Sequence, residues 1–478
     1  MTDKFDSLLP LILVGIGAAA ALFVFLAKNP LRGIYFYLFS CAILLAPELP
    51  VVREKLTGAE AVFAATLLAL ICFSGRIRRG PAPLLPIQRT VLIAAGCWVA
   101  SVFASLVANY LAGSLVSVGR SGLEAATYAY GFVVSFVIVH YVDTWEKWRT
   151  CLLAWTLGGG VVTAVGLMAM SIYSPAWTKD DFSGRISSTL RESNQVASYL
   201  GPLLPVAAFV LRSPGPSRLW SSWAARTAGF CLLAGAFVVM LGTGSRTAFL
   251  ITGAAFAALM VLLFVVAPKE RVKAGVTRFL AVGGLAAMIW FVYGVATDTG
   301  ERYALGVTKP WERPVRIFAE ILRGERDATD TRVEQVARLS RTWTDRPVFG
   351  AGPGNYSPLT RGHEIHNSYL NILAELGLVG VTAFGFWMLT AVGLARTSAA
   401  IAPRGEARVI VYGFLAGCVL LLLYQITILG MRQRPLWFVN GLLICLPRVL
   451  LDLHLRQSTD RDAASDPPSP SPPGAYSV

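Results

Sequence analysis

The chain has 478 residues, of which 55% are hydrophobic and only 15% charged, and its mean hydropathy is +0.58. A water-soluble domain cannot bury that much apolar surface, so the composition excludes a soluble enzyme and points to a polytopic membrane protein. The net charge of +14 does not call for nucleic acid, because the basic residues gather in short turns between apolar runs, as in the cytoplasmic loops of membrane proteins.

Met1 to Asp6 lacks a basic segment followed by a small-residue cleavage site, so the first apolar run reads as a retained span. Runs able to cross a bilayer as helices of about 20 residues lie near 8–27, 31–48, 59–75, 90–111, 122–142, 150–173, 195–211, 227–243, 247–267, 277–297, 370–395, 409–430 and 435–451. The expected fold class is an all-α polytopic membrane protein with about 12–13 transmembrane helices. Arg76, Arg78, Arg79 and Arg89 flank one turn, and Arg212, Arg218 and Arg226 a second. Lys269, Arg271, Lys273 and Arg278 mark a third, and Arg396, Arg404 and Arg408 a fourth. With these turns in the cytoplasm, the amino terminus lies outside and the carboxyl terminus inside. A re-entrant pair among the first three spans would bring the amino terminus inside as well.

Two outward connections are long, at 174–193 and 298–365. The second is expected to be a large, partly helical periplasmic loop between late helices, with an amphipathic stretch at 331–343 whose Val333, Val336 and Trp343 share a face. The chain therefore divides into helices and the first long loop over 1–297, the large loop over 298–365, C-terminal helices over 366–455, and a tail over 456–478. That tail is rich in Pro, Ser and Asp and is expected to be disordered and cytoplasmic. No internal repeat pair of the transporter kind is visible by eye.

The 7 cysteines sit in or beside apolar runs with neither CxxC spacing nor companion ligands, so no disulfide and no metal site is expected. No nucleotide-binding glycine loop of the Walker type occurs, so no cofactor is expected and the energy of any reaction arrives with the substrate. Chemistry is expected where a glycine-rich loop meets a span. Of the 4 histidines, His363 and His366 fall at that edge, and His366 is followed at once by Asn367. Histidine suits proton transfer near neutral pH. Arginines reach the same outer face from three elements: Arg185 and Arg191 in the first long loop, Arg246 in the turn 242–246, and Arg332, Arg338, Arg341 and Arg346 in the last. Guanidinium forks match phosphate oxygens in two-bond geometry, so several around one pocket fit a pyrophosphate. Gly350, Gly352 and Gly354 form a tight turn that either presents backbone N–H groups to an oxyanion or is purely structural. Gly377 and Gly380 are expected to let helices approach closely.

The chain resembles the O-antigen ligase and O-antigen polymerase superfamily, bacterial membrane glycosyltransferases that use glycans carried on undecaprenyl pyrophosphate. The residues that carry the likeness are His366-Asn367 followed by Gly377-Leu-Val-Gly380, Arg246-x-x-x-Leu250 after a small-residue turn, Arg185 and Asn194 in the first loop, and Pro347-x-Phe-Gly350-x-Gly352 before the histidines. It runs over roughly 180–400. The resemblance implies an inner-membrane, multi-pass enzyme with its site facing the periplasm, and metal-independent, inverting transfer of the glycan to an acceptor such as lipid A core. By analogy His366 is the base or acceptor-positioning group, and Arg185, Arg191, Arg246 and Arg332 bind the pyrophosphate. Asn194, His363, Asn367, Gly352 and Gly354 are expected to line the substrate site. The chain departs from the family in its His363-Glu-Ile-His366 spacing, where many ligases have His-Ser-His-Asn.

Chemically, the protein must stabilise a departing pyrophosphate and relieve an acceptor hydroxyl of its proton. Arginines serve the first need and a neutral imidazole the second, with Glu192 and Glu364 as alternative bases. The expected partners are the lipid-linked donor, a lipid or glycan acceptor and membrane lipids, with no nucleic acid. A repeat-unit polymerase of the same superfamily shares every motif above. A lipid-glycan flippase or secondary transporter would instead place ionisable groups at mid-membrane.

Overall fold

A computed structural model describes residues 21–42, 58–73, 75, 83–170, 188–190, 193–210, 223–243, 253, 336–337, 339–360, 365–426, 431 and 433–465. Among the described residues there are helices and turns but no strand. In chain order the helices are α1 (Leu31–Ser40), α2 (Gly58–Cys72), α3 (Pro86–Leu111), α4 (Val118–Tyr141), α5 (Trp145–Ala169), α6 (Ser193–Val210), α7 (Trp223–Gly242), α8 (Tyr356–Leu359), α9 (Ser368–Ile401), α10 (Glu406–Tyr424) and α11 (Arg434–Ser465). An apolar run with no water beside it must close its backbone hydrogen bonds within itself, which makes a helix the local solution. Six of these helices, α3, α4, α5, α9, α10 and α11 as far as Thr459, are long and apolar enough to cross a membrane. The chain is thus an all-α, multi-pass membrane protein.

α1 departs from the span expected at 31–48. It has ten residues, about 15 Å at the helical rise, half of what a crossing needs. A separate helical stretch at 21–28 stops at Asn29-Pro30, where proline cannot donate to the preceding turn. Asn29 Oδ1 then accepts from Leu31 N–H at 3.2 Å and starts α1. The spans expected at 247–267 and 277–297 lie outside the described residues, apart from Gly253.

α11 is the post around which the others stand. Every residue from 435 to 450 is buried, so this helix has no lipid face along that length. It packs against α4, α9, α5 and α3, which also donate to it. Ser135 Oγ reaches Trp437 O at 2.6 Å, Trp148 Nε1 reaches Leu442 O at 3.0 Å, and Gln88 Nε2 reaches Ile444 O at 2.6 Å. Trp437 stacks with Trp98 and Trp387 at a ring separation of 5.6 Å each, and those two with one another at 4.9 Å, which joins α3, α9 and α11.

The two ends of the bundle differ in character. At the basic end Arg448 Nη2 donates to Val139 O and Val142 O, His454 Nε2 meets Ile401 O at 2.8 Å, and Arg456 pairs with Glu146. Arg448 and His454 of α11 thereby serve carbonyls at the ends of α4 and α9. α11 continues to Ser465, so the first ten residues expected in a disordered tail are helical. Arg456 bridges both to Asp452 one turn back and to Glu146 of α5, which supports the extension. In the opposite half α11 starts against the middle of α3 and α4, with the first turns of α2 and α6 beside it, while the last turn of α3 and the segment before α4 reach further out to Gly350 and Asn355.

Candidate active site

α9 is not continuous. Gly377 stands inside it at φ 62° and ψ −157°, dividing a half at 368–376 from one at 378–401. The backbone of residues 347–352 fills the break. Ala351 N–H donates to Ala374 O at 2.8 Å and Gly352 N–H to Glu375 O at 2.9 Å, while Leu378 N–H and Val379 N–H donate back to Pro347 O and Val348 O at 2.9 and 3.1 Å. Irregular backbone within a membrane bundle persists only when its polar groups are satisfied in this way. There is no room for side chains: a Cβ on Gly350 would stand 2.5 Å from the Glu375 carbonyl carbon, and one on Gly377 2.5 Å from Val348 O. The expected helix contact at Gly377 is therefore a loop contact. Gly380 faces Leu376 of its own helix.

α3 fastens this joint. Ser105 and Asn109 are four residues apart and share a face. Ser105 Oγ lies 2.6 Å from Phe349 O and 2.9 Å from Glu375 O, one hydroxyl serving both strands of the joint. Asn109 Nδ2 donates to Gly350 O at 3.1 Å, and its Oδ1 accepts from Ser114 Oγ at 2.8 Å. Buried Asn355 closes the turn, donating to Ala351 O at 2.8 Å and accepting from Val116 N–H at 2.9 Å.

These bonds decide between the two readings of the glycine turn. The N–H groups of Gly350, Ala351, Gly352 and Asn355 already donate to Arg346 O, Ala374 O, Glu375 O and Gly352 O. The turn is structural and does not present those N–H groups to an oxyanion. Gly352, at φ 98°, and Gly354, at φ 66°, take conformations that favour glycine, and both are buried. Gly354 rests on Glu124, whose Cγ would be 2.4 Å from a Cβ there.

His366 crowns the first half of α9. Ile365 is buried with Leu339, Tyr356 and Ala374, and Leu370 and Leu373 pack against them. Leu339, rather than the half-exposed Val336, is thus the buried member of the amphipathic stretch, and Val333 lies outside the described residues. Asn367 caps the helix, its Oδ1 accepting from Leu370 N–H at 3.0 Å. Ser368 and Tyr369 dock on α10 through Gln425 and Leu422. His366 itself, between a buried isoleucine and a capped helix, is exposed, and its ring makes no hydrogen bond to a described residue.

Asn194 lies in the first turn of α6, at the same end of the bundle, since Ser198 Oγ one turn on donates to Gln433 Oε1 at 3.1 Å beside α11. Arg185, Arg191, Arg246, Arg332, His363, Glu192 and Glu364 lie outside the described residues.

Several polar residues at this end escaped the motif reading. Glu124 and Glu375 are each only 4% exposed, and Arg434 grips Glu60 through two nitrogens. Each interrupts or borders an apolar run, and ionisable groups inside such runs are the signal that would have found them. The arrangement is a well-fastened platform that carries, among the described residues, one exposed imidazole, a group able to take a proton from a substrate approaching it.

Residues 230–385, about a third of the chain, match the model of the O-antigen ligase family. The match lies within the stretch over which the motifs run, and takes in α7 from residue 230, the turn at 346–355, His366 and the break in α9. A comparison with curated proteins gives no match.

Proposed function

We propose that this multi-pass protein is an O-antigen ligase-like glycosyltransferase of the bacterial inner membrane, moving a glycan from undecaprenyl pyrophosphate to lipid A core at its periplasmic face. The observation that carries this reading is the placement of His366: exposed, on a platform fixed by α3 and α10, in the half of the bundle away from the basic turns and within the family match. In this mechanism the His366 imidazole accepts the proton of the acceptor hydroxyl as that oxygen attacks the anomeric carbon. The bond to pyrophosphate breaks on the opposite face, so the anomeric centre inverts. Arg185, Arg191, Arg246 and Arg332 bind the pyrophosphate and stabilise the charge it gains on leaving. The donor is already activated, so the scheme needs neither metal nor nucleotide.

The test uses the full chain in nanodiscs, with a synthetic undecaprenyl-pyrophosphate-linked glycan as donor and rough lipopolysaccharide as acceptor. His366→Ala is expected to lower transfer about a hundred- to ten-thousandfold, the usual loss for a general base, with donor binding retained. Full transfer by the variant would refute the assignment. Product formed only when a second lipid-linked glycan replaces the lipopolysaccharide would make the protein a polymerase.

A further inference from the structure

We infer that Ser368 and Gln425 are positioning residues that set the His366 imidazole against the acceptor hydroxyl, an inference that rests on the reading of His366 as the proton acceptor. The ring of His366 has no hydrogen bond of its own to a described residue, so its placement comes through the backbone that follows it. That backbone is clamped two residues on. Ser368 N–H donates to Gln425 O at 2.8 Å, and Ser368 Oγ lies 3.0 Å from Gln425 Oε1. Tyr369 OH adds a third bond, to Leu422 O at 2.8 Å.

The acceptors lie at the end of α10: Gln425 is its C-cap, and Leu422 O also accepts from Gln425 N–H at 3.1 Å, the bond that closes the last turn. The start of α9 thereby completes the end of α10, and the two helix ends form one unit beside His366. Gln425 is wholly buried. A buried amide is unfavourable unless its groups are bonded, and here they are: Nε2 reaches Leu421 O at 3.3 Å, which turns Oε1 toward Ser368. An apolar residue at 425 would fill the same space, so the amide's distinctive contribution is to fix the direction in which 366–368 leaves the platform. The break at Gly377 makes this clamp consequential, because it frees the nine residues at 368–376 from the direction of the rest of α9.

A structural role and a positioning role separate in a double-mutant cycle. In nanodiscs, with the same donor and rough lipopolysaccharide, Ser368→Ala is expected to lower kcat about tenfold, as small misplacements of a catalytic group do, with donor KM little changed and a fall in thermal midpoint from the donor that buried Gln425 Oε1 loses. Gln425→Leu should do the same, while Ser368→Thr, which keeps the hydroxyl, should restore most of the rate. In the His366→Ala background, Ser368→Ala should cause no further loss. A further tenfold loss there, or wild-type kcat in both Ser368→Ala and Gln425→Leu, overturns the positioning role and leaves the reading of His366 standing. Wild-type kcat in His366→Ala overturns that reading, and the positioning role with it.

Discussion

At the scale of single residues, the site depends on what glycine and asparagine permit and other side chains do not. Gly377 combines positive φ with extended ψ, a region closed to residues with a Cβ, and faces backbone atoms that cannot swing aside. Gly377→Ala should therefore destabilise the protein by about 1–3 kcal/mol from backbone strain alone, read as a lower thermal midpoint in detergent together with loss of transfer. Gly385→Ala, on the same helix, supplies the contrast. Nothing lies within 4 Å of its added Cβ, so it should be neutral or slightly stabilising, since alanine favours helix over glycine by about 1 kcal/mol. A Gly377→Ala protein as stable as wild type would mean that the break in α9 is not needed.

Among elements, the consequential one is the turn 346–355, held by α3 and α9 on the end of the bundle away from the basic turns. If those turns are cytoplasmic, α8 lies on the outer face, and Ser357 in it is partly exposed. Cysteine at Ser357 should react with an impermeant thiol reagent added to intact spheroplasts, above the background of the unmodified chain. Labelling only after lysis would reverse the topology and put His366 on the wrong side for a periplasmic reaction. α1 teaches a different lesson. Its apolar run resembles that of a spanning helix, but the helix that starts after Asn29-Pro30 ends at Ser40, with a turn at 41–42, and ten residues are too few to cross.

For the whole molecule, α11 carries the most, buried along 435–450 and tied at its first residue to α2 through Arg434 and Glu60. The two side chains are 16% and 12% exposed, so removing one takes a close counter-charge from a poorly hydrated ion. Glu60→Gln should cost about 3 kcal/mol, at the low end for breaking a buried pair. The double variant Glu60→Gln/Arg434→Gln should recover part of that loss, because no charge is then left behind. Equal unfolding midpoints for wild type and Glu60→Gln in detergent would show the pair to be solvent-screened.

Apolar runs and basic turns were enough to indicate an all-α membrane protein, and the order of motifs pointed to the O-antigen ligase family whose model matches residues 230–385. Hydropathy and charge are local properties that bilayer crossing reads directly, one residue after another. The sequence could not decide between an anion-binding and a structural glycine turn, because that depends on which carbonyls reach Gly350, Ala351 and Gly352, and two of those three come from α9. Nor could it show that Ser105, Asn109, Ser368 and Gln425 converge on the platform beneath His366. Serine, asparagine and glutamine in an apolar run carry no periodic signal, and a hydrogen bond between residues 57 or 270 positions apart exists only once the bundle has closed.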